Sequence, residues 1–136
     1  MRQVKEIMQS RVATVDLYDR LSVAKEIFDQ APFHHLPVLE ENELVGVISK
    51  HDVYRALSPH LDSLSESMKD LNTLKKRVHQ IMNKRPISID ECALINHASK
   101  TMLLHNIGCL PVTEKGKLSG IITWKDLLSF YSRGRS

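Results

Sequence analysis

The chain has 136 residues, 42% of them hydrophobic and 26% charged, the balance of a globular protein built as one compact unit or two small halves. A net charge of +3 and only 5% aromatic residues argue against the dense basic stripe of a duplex binder and the stacking platforms of a single-strand binder. No run of about 18 apolar residues is present, so no membrane span is expected, and Cys92 and Cys109 form neither a C-x-x-C pair nor a zinc-finger spacing.

Read from the N-terminus, the chain states its pattern twice. Residues 4–54 superpose on 78–128 at a fixed offset of 74 without a gap, with 14 identities in 51 positions. The identities cluster in short motifs, which is the mark of duplication. Each copy opens with an apolar turn, Val4-Lys5-Glu6-Ile7-Met8 or Val78-His79-Gln80-Ile81-Met82. An extended piece follows at Ala13–Val15 or Ile87–Ile89, then Asp16 or Asp90 and a loop into a helix.

Those helices have a period of about 3.6 residues. Leu21, Ala24, Ile27, Phe28 and Ala31 share one face of the first, and Ile95, Ala98, Thr101, Met102 and His105 the matching face of the second. Pro32 stops the first, and Asn106 or Gly108 the second. Two strands come next, Leu36–Leu39 with Leu44–Ser49 and Cys109–Thr113 with Lys117–Thr123, each pair joined by a short polar connection. Gly46 and Gly120 lie inside the second strands, where glycine often marks a close backbone approach.

A last helix follows each hydroxyl residue, from about Lys50 to Leu57 and from about Trp124 to Tyr131. The expected organisation is repeat 1 at 4–57, a partly helical linker at 58–77 with a helix over 64–76, and repeat 2 at 78–131. Each repeat reads strand, helix, strand, strand, helix, an α+β arrangement. One such repeat has too little core to stand alone, so the two are expected to pack together.

Chemistry concentrates at Ser49-Lys50-His51-Asp52 and Thr123-Trp124-Lys125-Asp126. A hydroxyl followed three residues later by an acid is first a helix capping box. The same geometry, at a strand end leading into a helix N-terminus, also suits a phosphate. A carboxylate one turn in would accept from both hydroxyls of a ribose. Lys125, and His51 when protonated, would stand near the phosphate. No G-x-G-x-x-G, Walker A or G-x-S-x-G pattern occurs, and Ser49-His51-Asp52 within one helical turn is not a catalytic triad.

Two copies of an apolar opening, a helix, a Leu-Pro-Val strand and Gly-Val-Ile-Ser-x-x-Asp or Gly-Ile-Ile-Thr-x-x-Asp resemble a tandem cystathionine β-synthase (CBS) domain pair. The chain is similar to small stand-alone bacterial proteins of the acetoin-utilisation type. The resemblance implies a pseudo-two-fold module with ligand in a cleft between the repeats, and a ligand of the adenosine class: AMP, ADP, ATP or S-adenosylmethionine. It implies that Asp52 and Asp126 bind the ribose diol and that Ser49 and Thr123 meet ribose or phosphate. His34-His35 and Gly108-Cys109 would face phosphates or base, and Val12-Ala13 and Pro86-Ile87 would line the base pocket.

The two copies differ where a ligand would sit. The first copy has His34, His35 and His51 and the second Gly108, Cys109 and Lys125, and since each site of such a pair would borrow from both repeats the histidines are not assigned to one site; two sites of unequal affinity are expected. No metal site and no catalysis are expected. The leading expectation is a cytosolic regulatory sensor, homodimeric and acting on a partner protein. The rival is a dimerisation or docking module with no ligand. Nucleic-acid binding through the basic second half ranks below both.

Overall fold

The computed structural model describes residues 2–57 and 72–134. The predicted order recurs in both repeats. Strand β1 (Val15–Asp16), helix α1 (Leu21–Gln30), strands β2 (His35–Glu40) and β3 (Glu43–Ser49) and helix α2 (Lys50–Leu57) form the first. Strand β4 (Ile89–Asp90), helix α3 (Ile95–His105), strands β5 (Cys109–Glu114) and β6 (Lys117–Thr123) and helix α4 (Trp124–Ser132) form the second. The linker helix expected over 64–76 falls mostly outside the described residues.

The chain folds as two compact units. Unit I takes residues 13–41, 45–57 and 72–86, and unit II takes 2–12, 42–44 and 87–134. The units are not the sequence repeats, because each repeat gives its opening turn to the other repeat's unit. The turn Val4–Glu6 belongs to unit II, where the Val4 N–H donates to the Ala93 carbonyl at 2.8 Å and the Lys5 N–H to Glu91 at 2.9 Å. The turn Val78–Gln80 belongs to unit I, where the Val78 N–H donates to Asp19 at 2.8 Å and the His79 N–H to Leu17 at 3.1 Å. The acceptors are related by the same offset of 74 as the donors.

Burial explains the exchange. Val4 is fully buried among Ile89, Ile95, Leu110, Ile122 and Phe130, and Val78 among Val15, Leu21, Phe28, Leu36 and Ile48. Ile7 and Met8, or Ile81 and Met82, pack against the same cores. A unit without its borrowed turn would leave a hole where a whole valine sits, and filling it returns about 1.5–3 kcal/mol of apolar transfer energy per large side chain.

Within each unit the first strand runs parallel to the second, Val15 beside Val38 in one and Ile89 beside Val112 in the other. The first strands begin later than the sequence suggests, at Val15 and Ile89, the first residues in register with the neighbouring Leu-Pro-Val strand. The hairpin turns are tighter than expected, because β2 and β5 each run on to a glutamate. Only Glu41-Asn42 and Lys115-Gly116 remain as connections, all four with positive φ, as a two-residue turn of this hand requires. Helix α1 stops at Gln30, just ahead of Pro32, and α3 ends on left-handed Asn106 (φ 54°). His105 is exposed rather than part of the apolar face. It occupies the last turn of α3, where its imidazole meets the negative end of the helix dipole.

Candidate functional site

Both hydroxyl-x-x-Asp motifs stand where a strand turns into a helix, and both cap that helix. In unit I the Ser49 N–H donates to Asp52 Oδ2 at 3.0 Å, and the Asp52 N–H donates back to Ser49 Oγ at 2.9 Å. In unit II the Thr123 N–H donates to Asp126 Oδ2 at 2.8 Å, and the Thr123 hydroxyl also donates to that oxygen at 3.2 Å. Each cap satisfies backbone groups that a helix start otherwise leaves unpaired. Each also fixes its aspartate with Oδ2 committed to the cap and Oδ1 outside it.

The borrowed segments run against these motifs. In unit II the Gln9 N–H donates to the Ile121 carbonyl at 2.8 Å and the Ile121 N–H returns the bond at 2.9 Å. In unit I Asn83 and Val47 exchange the same pair at 2.8 and 3.1 Å. Gly120 and Gly46 permit the approach. A Cβ on Gly120 would lie 2.7 Å from the Gln9 carbonyl oxygen, and one on Gly46 would lie 2.8 Å from that of Asn83. The close approach expected at the two glycines is therefore that of the other repeat's strap.

The aspartates differ in what holds Oδ1. Arg55, one turn further along α2, donates to Asp52 Oδ1 at 3.2 Å. Asp126 instead receives the Gln9 side-chain amide, 3.4 Å from both of its oxygens. Asn83 is one methylene shorter than Gln9, and its side-chain oxygen accepts the Arg85 N–H at 3.1 Å. Neither Gln9 nor Arg55 stood out in the sequence. The signal for Gln9 was its place in the repeat, an amide opposite an amide next to the paired Met8 and Met82.

The other predicted site residues divide between the units. Unit I holds Ala13, His34, His35, His51 and Pro86, and unit II holds Val12, Ile87, Gly108, Cys109 and Lys125. His34 and His51 are exposed, and the His34 carbonyl accepts the Lys50 N–H at 2.9 Å where α2 begins. His35 is half-buried, and burial, with His34 beside it, holds its imidazole below the usual histidine range, against the pull of Asp52. Near pH 7 it therefore offers a neutral ring rather than a charge. Its counterpart Cys109 is buried, and burial, with Asp126 adding to it, pushes the thiol up to about 12.

In unit II the Gly108 carbonyl accepts the Trp124 N–H at 3.0 Å, and a Cβ on Gly108 would meet the Trp124 ring at 2.9 Å. The indole is 52% exposed and carries the Lys125 ammonium 5.7 Å from a ring centre. Among the described residues no three His, Cys, Asp or Glu side chains are arranged to hold a metal ion, the trio His34, His35 and His51 included. Nor, among those residues, is any helix long and apolar enough to cross a membrane.

The paired caps, the exchanged straps and the doubled strand–helix frame match a known pattern. The profile of the CBS domain fits residues 4–59 and again 78–133. The chain belongs to the CBS domain family. Among the relatives of this CBS pair is a CBS domain-containing protein of Dictyostelium discoideum, 34% identical over 128 residues that cover 92% of this chain and 88% of the relative. The acetoin utilization protein (AcuB) of Vibrio cholerae has the same fold, with a TM-score of 0.80 and 25% identity, over 98% of this chain and 92% of that one. CBSX2 of Arabidopsis thaliana, solved in complex with AMP, superposes with a TM-score of 0.82 and 25% identity over 98% of each chain.

Proposed function

We propose that this CBS pair is a cytosolic regulatory module that binds an adenosine nucleotide and performs no catalysis of its own. The ligand sites would be the two capped helix starts. In each, an aspartate keeps Oδ1 outside its cap, and the other repeat lends a strap to the strand that leads into the helix. The carrying observation is Asp126, whose carboxylate is fixed by the Thr123 cap and approached by the Gln9 amide at 3.4 Å. AMP on a neighbour of the same fold supports the ligand class. Asp52 and Asp126 would take ribose hydroxyls, and Ser49 and Thr123 the ribose or phosphate. His34, His51 and Lys125 would meet phosphates, with Val12, Ala13, Pro86 and Ile87 against the base. His35 would add a neutral donor, and Gly108 would bring its backbone close. Ligand would shift this module's contact with a regulated partner only as far as it binds two states of the module unequally.

Titration calorimetry with AMP, ADP, ATP and S-adenosylmethionine tests this. Binding of at least one, weakened by Asp52→Asn or Asp126→Asn, is the expected result. The asparagine keeps an oxygen for the cap while removing the charge. Failure of all four to bind, or indifference to both substitutions, would sink the proposal.

The second reading is a dimerisation module, and a specific observation favours it. Leu103 and Leu104 on α3 are 81% and 79% exposed, and Leu128 on α4 is exposed as well. Leucines this exposed are suited to a contact with a second copy. Light scattering would show a dimer that Leu103→Asp with Leu128→Ser splits. A monomer at high concentration, or a dimer that survives both changes, would remove this reading. Addition of nucleotide to the same sample separates a ligand-responsive dimer from a constitutive one.

A further inference from the structure

We infer that Gln9 is a ribose-recognising residue of the unit II site, so that the opening segment of repeat 1 sets the affinity of the site whose aspartate repeat 2 supplies. The inference rests on the nucleotide reading and adds to it a residue and a specificity.

Three observations carry it. The first is rigidity. Gln9 is pinned at its backbone by both bonds to Ile121, at 2.8 and 2.9 Å, so its side chain starts from a fixed point. The second is orientation. A carboxylate only accepts, so the side-chain group of Gln9 facing Asp126 is the NH2. Gln9 is exposed, and no protein donor reaches its amide oxygen Oε1 among the described residues. The third is geometry. The same amide whose NH2 approaches Asp126 Oδ1 at 3.4 Å carries a second acceptor, Gln9 Oε1. A vicinal diol has two neighbouring hydroxyls, each of which needs an acceptor when water is removed. One carboxylate oxygen and one amide oxygen meet that need better than a single crowded carboxylate.

The bonds from Gln9 to Asp126 are long, at 3.4 Å, so a ribose would not have to break a strong contact to enter. Unit I lacks this pair. There the shorter Asn83 gives its oxygen to Arg85, and Asp52 Oδ1 is held by the Arg55 guanidinium at 3.2 Å. A diol entering unit I must share its acceptor with a cation. One amide thus distinguishes the two sites more directly than the histidines do, and it makes the unit II site the more selective for a ribonucleotide.

The test uses the whole chain carrying Asp52→Asn, so that the unit II site is read by itself. Binding of AMP, 2′-deoxy-AMP and 3′-deoxy-AMP is measured with Gln9 and with Gln9→Met, which keeps the length and the strap. The expected result is an affinity for AMP lowered about tenfold by Gln9→Met. The preference of AMP over one of the two deoxy forms should shrink by a similar factor. Unchanged AMP affinity together with unchanged preference would overturn the role of Gln9, even with AMP binding and Asp126 dependence intact. If the chain carrying wild-type residues at all positions binds no AMP, the nucleotide reading fails and the role of Gln9 fails with it. Thermal melting that is equal for the two proteins excludes a folding defect as the cause.

Discussion

Units I and II share a frame and differ in its dressing. Both have a capped helix start, a glycine that admits a foreign strap, and a buried valine from that strap. On this common frame Asp52 is paired with Arg55, whereas Asp126 is paired with Gln9. The outer helical faces diverge as sharply. Unit I carries Lys25 and Asp29 as an ion pair at 2.6 Å, with the Tyr54 hydroxyl donating to Asp29. The positions matching Asp29 and Tyr54 in unit II are Leu103 and Leu128, both exposed. Duplication has therefore kept the backbone contacts that make each unit foldable and let go of the side chains that face outward. At the matched positions one unit presents an ion pair and an arginine, the other exposed leucines and a neutral amide.

Three results would break or sharpen this contrast. The largest effect is expected at the position before Leu-Pro-Val, where His35 and Cys109 correspond. With its thiol pushed up to about 12, Cys109 in the native protein should react with a thiolate-selective reagent more than a thousandfold slower than exposed Cys92, read by mass spectrometry after timed labelling. Comparable rates would mean that the position beside Asp126 is open to solvent.

The shared frame predicts matched losses at the glycines. Gly120→Ala would drive a Cβ to 2.7 Å from both the Gln9 carbonyl and the Met8 sulfur, and Gly46→Ala to 2.8 Å from the Asn83 carbonyl. Each should destabilise the protein by about 1–3 kcal/mol in urea unfolding, as overpacking does. A neutral result at one glycine and a large loss at the other would show that one strap yields and the other does not.

The smallest effect concerns pH. His35 binds its proton less readily in the folded protein than in the unfolded chain. As pH falls, the unfolded chain takes the proton first, so stability declines from about pH 7 through the unfolded value near 6.5 and levels off below the folded value. His35→Gln should remove that part of the decline. An unaltered pH profile would show that the ring is not desolvated.

Most of the frame was legible in the sequence because it depends on periodicity and repetition. The buried faces of α1 and α3, the hairpins and both caps follow from residues a few positions apart, whose chemistry is local. The exchange of the opening turns was not legible. Val4 and Val78 are equally apolar, and nothing in a turn of five residues says which of two similar cores will bury it. The role of Gln9 was hidden for the same reason, since its contact with Asp126 spans 117 positions. Arg55 carries no sequence signal, since an exposed arginine on a helix surface looks like any other. His35 and Cys109 correspond at the offset of 74, yet only burial shows that the imidazole is held below its ordinary range and the thiol above it.

The most direct test is a crystal structure of the protein grown with saturating AMP. The account predicts the ribose of an AMP molecule in unit II, its hydroxyls within about 3.2 Å of Asp126 Oδ1 and Gln9 Oε1. AMP bound away from both aspartates, or a phosphate rather than the ribose at Asp126, would contradict it.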